Sequence, residues 1–242
     1  VWGTNFNNFF HATDINNDGH QDFFANIWFF GPQSDMPEQR FIAMINDGKG
    51  HFGLDKSVFE SYDFPCLGGG AGDYSTTDNV DPYRACGHTL SHQRMHFADF
   101  NGDGDDDMYQ GSKVLLSKNG IMYDRSIENL PEVFFERNNP VWSHDIAIGD
   151  FNGDGDLDIF VPAQTHEWMI LDNNGLGSFT ERTVGMPRQQ CDKECNEMIW
   201  ATGAAAGDFN GDGYDELIVG WFNPYKSTEE TVGAPSVQNS VG

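Results

Sequence analysis

Positive charge is scarce in this sequence: 13 Lys and Arg stand against 38 Asp and Glu among 242 residues, which gives a formal net charge of −25. Nucleic acids and anionic membrane surfaces are bound through clustered Lys and Arg, so this balance excludes both as partners. No apolar run approaches the roughly 18 residues that a membrane-spanning helix needs. The first residues also lack the layout of a signal peptide. We therefore expect a mature product or a fragment, without direct membrane insertion.

The motifs of several common enzyme classes are missing as well. The sequence contains no HExxH zinc motif, no nucleophile elbow and no phosphate-binding loop. It also has no Asn-x-Ser/Thr sequon, so N-linked sugar is not expected. These absences favour a protein that binds or assembles over an enzyme.

A nine-residue pattern is present four times, with Asp at positions 1 and 5, Asn at position 3, Gly at position 6 and an acid at position 9. The four segments, called loops 1 to 4 below, are Asp14–Asp22, Asp99–Asp107, Asp150–Asp158 and Asp208–Glu216. They hold three, five, four and four acids, which is 16 of the 38 in the chain. Much of the negative charge therefore belongs to the repeated loops and not to a disordered acidic tail.

The chemistry of this pattern suits calcium. Calcium binds six to eight oxygen atoms, which a short loop of carboxylate and amide side chains can supply around a turn at glycine. Positions 1, 3, 5 and 9 are expected to bind through their side chains, and position 7 through its backbone carbonyl because its side chain varies. The sequence predicts up to four Ca²⁺ ions, with these residues as ligands: Asp14, Asn16, Asp18, His20, Asp22, Asp99, Asn101, Asp103, Asp105, Asp107, Asp150, Asn152, Asp154, Asp156, Asp158, Asp208, Asn210, Asp212, Tyr214 and Glu216.

Hairpin turns are the alternative explanation, since Asn-Gly and Asp-Gly dipeptides are common in them. A turn needs one such dipeptide and not three further carboxylates beside it. Two like charges about 4 Å apart cost roughly 4 kcal/mol at an effective dielectric constant of about 20. The loops would therefore repel themselves without a cation, which favours the calcium interpretation.

Short apolar or alternating runs lie on both sides of each loop, as is typical of two strands joined by the loop. The loop starts are 85, 51 and 58 residues apart, so two intervals fit a four-stranded unit and one contains an insertion. The pattern predicts an all-β fold, a β-propeller of four-stranded antiparallel blades in one domain, residues 1–242. The repeats are expected at about 5–60, 91–137, 142–184 and 198–242, with the insertion at 61–90.

The loops, together with the turn Asn173-Asn174-Gly175-Leu176-Gly177-Ser178-Phe179, resemble the FG-GAP and VCBS repeats of integrin α-subunit propellers, fungal propeller lectins and many secreted microbial and algal proteins. The resemblance implies seven or eight blades, whereas four loops are present here. The chain is then either a compact four-bladed ring or a part of a larger propeller. The final repeat is short, which favours the larger propeller.

Four cysteines form an even set of two local pairs: Cys66, Cys86, Cys191 and Cys195. In a calcium-dependent protein this indicates disulfide bonds and an extracellular or cell-surface location. Three pairings are possible, of which we favour Cys66–Cys86 together with Cys191–Cys195. The alternative is a zinc site that includes Cys86, His88 and His92, although its spacing matches no standard zinc motif.

Ligand binding is expected on the face opposite the loops. In a propeller blade the third-to-fourth turn shares the face of the first-to-second loop, so the long irregular segments fall on the other face, where binding usually occurs. Aromatic rings beside polar groups there suit sugar rings or a protein contact. The candidates are Trp142, His144, His166, Trp168 and Tyr225. Packing between blades is the alternative for the tryptophans, because Trp142 and Trp200 each lie eight residues before a loop Asp.

Three functional hypotheses follow. The first is a secreted, calcium-stabilised propeller for adhesion to, or recognition of, a glycan or an extracellular protein. The second is a structural subunit of an extracellular assembly or filament that has no separate soluble ligand. The third is an enzyme similar to polysaccharide lyases, in which His, Tyr and Arg would serve as base, acid and charge neutraliser. Its candidate residues are Tyr83, Arg84, His88 and His92.

Overall fold

The computed structural model describes residues 8–27, 41–60, 95–111, 113–135, 141, 143, 145–163, 166–184, 200–222 and 236–238. In these residues the secondary structure is almost entirely β. The exceptions are a single helical turn, α1, at Ser126–Asn129 and a 3-10 segment at Glu132–Phe135. Neither was predicted from the sequence. Among the described residues, no helix has the length and apolar character to cross a membrane.

The strands follow the repeats closely. In the first two repeats they are β1 (Asn8–Thr13), β2 (Asp22–Ile27), β3 (Phe41–Asn46), β4 (Phe52–Leu54), β5 (His96–Ala98), β6 (Asp107–Gln110), β7 (Lys113–Lys118) and β8 (Ile121–Asp124). In the last two they are β9 (Ala147–Gly149), β10 (Asp158–Val161), β11 (Met169–Asn173), β12 (Phe179–Thr183), β13 (Trp200–Gly207), β14 (Glu216–Phe222) and β15 (Ser236–Gln238).

Four antiparallel sheets result, one for each repeat. The described residues form the four-stranded sheets β1-β2-β3-β4, β5-β6-β7-β8 and β12-β11-β10-β9, and the three-stranded sheet β13-β14-β15. Each of loops 1 to 4 joins the first and second strands of its sheet. The all-β class and the four-stranded antiparallel repeat are therefore confirmed for the first three repeats. The third strand of the last repeat, Ser236–Gln238, lies within the predicted repeat 198–242.

The first compact unit comprises Val1–Pro140 and holds the first two sheets. Because successive side chains of a strand point to opposite faces, Phe24 is fully buried while its neighbour Phe23 is exposed. Phe24 joins Met108, Leu115 and Met122 of the second sheet in one hydrophobic cluster. Full burial of such a side chain contributes about 1.5–3 kcal/mol, so this contact between sheets is a main source of stability in the unit.

The second compact unit comprises Val141–Gly242 and repeats this arrangement with the last two sheets. Phe160 and Ile170 of the third sheet pack with Leu217 and Val219 of the fourth. The strands therefore hold the ends of loops 3 and 4 in fixed positions on one hydrophobic core.

Candidate metal centres

Position 1 of every loop is an Asp whose carboxylate accepts the backbone N–H of the glycine at position 6. The four N–O distances, for Gly19, Gly104, Gly155 and Gly213 in turn, are 2.8, 2.8, 2.9 and 3.0 Å. These glycines have φ angles between 86° and 92°, which L side chains rarely adopt. The glycine thus turns the backbone so that its amide faces the first carboxylate.

The side chains at positions 3 and 5 also accept backbone N–H groups of their own loop. The side-chain oxygen of the Asn at position 3 accepts the N–H of position 5 at 3.2, 3.0, 2.9 and 2.8 Å in loops 1 to 4. In loops 1, 2 and 4 that N–H also faces the first carboxylate, at 3.0, 3.1 and 3.1 Å. In these three loops the structure therefore brings the oxygens of positions 1 and 3 together around one N–H group. The carboxylate at position 5 accepts the N–H of position 7 in all four loops.

Position 9 has a role that the sequence did not reveal. Asp22, Asp107 and Asp158 are at most 1% exposed. One oxygen of each accepts the N–H of loop position 2, and the other accepts an N–H on the third strand of the same sheet. The third-strand donors are Asn46 at 2.8 Å, Ser117 at 2.7 Å and Asn173 at 2.8 Å. The ninth carboxylate therefore ties the loop to the sheet, and its role as a calcium ligand remains a prediction.

Glu216 at position 9 of loop 4 departs from this scheme. One of its oxygens accepts the N–H of Phe209 at 2.9 Å, as in the other loops. The second accepts the side-chain amide of Asn210 at 2.7 Å. Glu216 therefore accepts both of these hydrogen bonds from residues of its own loop.

Burial raises the pKa of the ninth acid in loops 2 and 3. Burial raises the pKa of Asp107 to about 7, opposed by the hydrogen bonds from Ser117 and Phe100. Burial likewise raises the pKa of Asp158 to about 6, again opposed by two backbone N–H groups. In contrast, N–H groups led by that of Gly213 lower the pKa of Asp208 in the exposed part of loop 4. Loops 2 and 3 thus contain a buried carboxylate at position 9 that is costly to ionise.

The side chain at position 7 also makes specific contacts, although we expected it to be free to vary. A Cβ atom on Gly48 would lie 2.4 Å from the His20 ring, and one on Gly175 would lie 2.7 Å from the Asp156 carboxylate. The carboxylate of Asp105 accepts the N–H of Asn119 at 2.9 Å. In loops 1 to 3 position 7 thus packs on the turn between the third and fourth strands. This contact does not involve the backbone carbonyl, which stays the predicted ligand.

Position 8 carries a second contact that sequence reasoning missed. It is Asp106 in loop 2 and Asp215 in loop 4, but Gln21 and Leu157 in loops 1 and 3. Asp106 accepts the hydroxyl of Thr13, directly before loop 1. Asp215 accepts the N–H of Asp150, the first residue of loop 3, at 2.9 Å. The signal that could have revealed these contacts is the acid at position 8 in every second loop.

The donor set fits calcium. Within the described residues no three His, Cys, Asp or Glu side chains converge on one point that could hold a metal ion. The acids at positions 1, 5 and 9 of the described loops are therefore not gathered into one such site, and positions 1, 3 and 5 are Asp, Asn and Asp. All of these donors are hard oxygen atoms of the kind that calcium prefers over nitrogen or sulfur. The described part of each loop could therefore hold calcium at positions 1, 3 and 5.

The predicted ligand-binding residues are only partly described. Trp168 is 3% exposed and packs edge-on against Phe160 with 5.6 Å between ring centroids. This agrees with the packing interpretation, since no ring face is open to a sugar. His166 is partly exposed. The side chains of Trp142, His144 and Tyr225, the four cysteines and the insertion with Tyr83, Arg84, His88 and His92 lie outside the described residues.

One segment of the chain matches the model of a known protein family. Residues 150–219, which contain loops 3 and 4, match the model of the FG-GAP-like repeat. The chain contains an FG-GAP-like repeat. The resemblance inferred from the loop pattern is thereby confirmed for this segment. No curated protein is significantly similar to the chain in sequence.

The chain also resembles a solved structure of a lectin from Agrocybe aegerita, which specifically recognises non-reducing terminal N-acetylglucosamine. The TM-score is 0.51 and the sequence identity is 17%. The similarity covers 95% of this chain and 51% of the lectin chain, so this chain spans about half the length of that structure. At this identity the similarity shows a shared fold.

Proposed function

We propose that the chain is a calcium-stabilised β-propeller, or part of one, that serves extracellular recognition of a glycan or a protein. The observation that carries the proposal is the repeated geometry of the four loops. In each, the carboxylate at position 1 accepts the N–H of the glycine with positive φ, and the side chains at positions 3 and 5 accept the N–H groups of positions 5 and 7. Turns alone would not require this arrangement four times.

Calcium is the proposed resident ion, with one site in each loop. Positions 1, 3 and 5 would hold it, and the carbonyl at position 7 and the acid at position 9 would complete its shell. Bound calcium would supply positive charge to a chain whose formal net charge is −25, and four ions would reduce that charge to −17. Extracellular calcium modules commonly bind with dissociation constants of about 10⁻⁴–10⁻³ M, which suits exposed loops outside the cell.

Recognition is proposed over catalysis because of what the chain resembles. The FG-GAP-like repeat and the fold shared with a glycan-specific lectin both support a binding protein. Because the loops are proposed to have a structural role in binding calcium, the ligand would contact the opposite face of the blades. The partial coverage of the lectin chain supports a larger propeller of which this chain supplies one part.

A glycan array tests the recognition part of the proposal. We expect the chain to bind a small set of glycans in calcium and to lose that binding when calcium is chelated. Asp154→Ala is a suitable variant, because it removes a predicted calcium ligand that is exposed. Glycan binding that does not depend on calcium would contradict the recognition proposal. Failure of the chain to bind any glycan or extracellular protein would contradict it as well.

A structural subunit is a second candidate, favoured by the outer face of the first sheet. Strand registers place Phe10, Phe23, Phe52 and Leu54 on one face of that sheet. Their exposed fractions are 54%, 37%, 48% and 52%, and the rings of Phe10 and Phe23 lie 5.2 Å apart. An exposed apolar face of this kind suits packing against another subunit. Sedimentation of the chain and of Phe10→Ser tests this, since a structural subunit should associate and the variant should not.

A further inference from the structure

The loops occur in contacting pairs. Loops 1 and 2 belong to the first compact unit, and loops 3 and 4 belong to the second. The acid at position 8 contacts the first residue of loop 3 in the second unit, and Thr13, the residue directly before loop 1, in the first unit. We propose that Asp215 and Asp106 are positioning residues that couple calcium binding within each pair. The inference rests on the calcium-binding part of the proposed function.

The contact between loops 3 and 4 is made at the backbone. The N–H of Asp150 donates to the Asp215 carboxylate at 2.9 Å, and the N–H of Asp215 donates to the Asp150 carbonyl at 2.9 Å. Asp150 is the first predicted ligand of loop 3. The position of that ligand is therefore set by a residue of loop 4.

Asp215 is in turn held by its own loop. It lies between Tyr214 and Glu216, which occupy the predicted ligand positions 7 and 9. The Tyr214 ring also reaches loop 3, because a Cβ atom on Gly153 would lie 2.4 Å from it. An ion that orders loop 4 would thus fix Asp215, and Asp215 would fix Asp150. By thermodynamic linkage, an ion in loop 3 must favour loop 4 by the same factor.

Loops 1 and 2 show the same scheme through side chains. Asp106 accepts the Thr13 hydroxyl, and Asp105 accepts the side-chain amide of Asn17. A Cβ atom on Gly120 would lie 3.0 Å from Cα of Asn16, so the backbone of loop 1 also packs on the second repeat. None of these contacts joins an acid of loop 2 to the backbone of Asp14. We therefore expect weaker coupling in this pair than between loops 3 and 4.

Charge repulsion between neighbouring loops is a different source of coupling. An ion in one loop lowers the negative potential at the next, whether or not Asp215 makes its hydrogen bond. The two sources respond differently to substitution at position 215. Asp215→Asn removes the charge but retains an oxygen that can accept the Asp150 N–H, whereas Asp215→Ala removes both.

Hydrogen exchange measured by mass spectrometry on the full chain can separate these effects, because it follows each loop during a calcium titration. The first comparison is the wild type with Asp212→Ala, which removes a predicted ligand of loop 4. We expect the calcium midpoint for protection of loop 3 to rise about fivefold or more, the lower end of typical coupling between sites. If Asp212→Ala does not fold, Asn210→Ala removes a different ligand of the same loop.

The second comparison places Asp212→Ala in the background of Asp215→Ala. We expect the midpoint of loop 3 to be raised by Asp215→Ala alone, and to rise less than about twofold more when Asp212→Ala is added. Asp215→Asn should resemble the wild type. Glu181→Ala, which removes one exposed negative charge from β12 of the same unit, is the matched charge control and should also resemble the wild type.

The outcomes distinguish this inference from the proposed function. If neither loop gains protection with calcium, the calcium proposal itself fails. If both loops gain protection but Asp212→Ala leaves the midpoint of loop 3 unchanged, the coupling is refuted while calcium binding stands. If Asp212→Ala has the same effect with and without Asp215, coupling exists but Asp215 does not carry it.

Discussion

The two carboxylates at positions 5 and 9 of loop 3 should respond differently to replacement by alanine. Asp154 at position 5 is exposed and accepts the N–H of Asp156 at 2.9 Å. Asp158 at position 9 is fully buried and accepts the N–H groups of Phe151 at 3.1 Å and Asn173 at 2.8 Å. The first is predicted to act through calcium alone, and the second through both calcium and the fold.

The magnitudes follow from what each substitution leaves behind. Asp158→Ala leaves two buried N–H groups without their acceptor, at about 1–3 kcal/mol each. Loss of a buried carboxylate whose pKa is raised to about 6 offsets part of this cost. We therefore expect Asp158→Ala to lower the free energy of unfolding by about 2–4 kcal/mol without calcium. Asp154→Ala exposes one N–H to water and should cost about 0.5 kcal/mol or less.

Urea unfolding in the absence and presence of calcium is the assay. With calcium at about 100 times its dissociation constant, a bound ion stabilises the folded state by about 2.7 kcal/mol. Asp154→Ala should lose about this amount in calcium and almost nothing without it. Asp158→Ala should be destabilised in both conditions. Equal losses for the two variants without calcium would refute the structural role assigned to the ninth acid.

Two further predictions concern the same loops. First, burial raises the folded-state pKa of Asp107 to about 7 and of Asp158 to about 6, so between pH 4 and those values the folded state binds more protons than the unfolded state. The free energy of unfolding of the calcium-free protein should therefore fall as the pH rises from about 4 to about 7, whereas the calcium-bound protein should gain stability because binding requires ionised carboxylates. Urea unfolding of the metal-stripped protein measures this, with Asp107→Asn as the control for the contribution of that residue. A rise in stability with pH in the absence of calcium would contradict the prediction. Second, a Cβ atom on Gly149 would lie 2.5 Å from the Asp215 carboxylate and 3.0 Å from Cβ of Ala206. Gly149→Ala should therefore lower the free energy of unfolding by about 1–3 kcal/mol. A Cβ atom on the control residue Gly53 would meet nothing within 4 Å, so Gly53→Ala should change the free energy of unfolding by about 0.5 kcal/mol or less. Similar values for the two variants would argue against the contact between loops 3 and 4.

The sequence predicted the repeated parts of this fold because they rest on local chemistry. Strands such as β10 (Asp158–Val161) follow from apolar residues after a turn, and the positive φ of Gly155 follows from the sharp bend at position 6. The helical turn at Ser126–Asn129 was missed because four residues carry too little pattern to be recognised.

The contacts of positions 7, 8 and 9 could not be predicted from the sequence, for a different reason. Asp158 binds the backbone N–H of Asn173, and every residue except proline has such a group. The contact between Asp215 and Asp150 depends on which loops become neighbours, which only the packing of two sheets decides. Trp168 shows the same limit, since an aromatic side chain suits both a core and a binding face, and its burial decides between them.

Direct measurement of bound calcium tests the central claim. Metal-stripped chain should be equilibrated with calcium, and the bound ion counted by equilibrium dialysis for the wild type and for Asp18→Ala, Asp103→Ala, Asp154→Ala and Asp212→Ala, one variant for each loop. We predict up to four ions for the wild type and the loss of at least one in each variant. Wild-type chain that binds no calcium at millimolar concentration, or variants that bind as much as the wild type, would contradict the account.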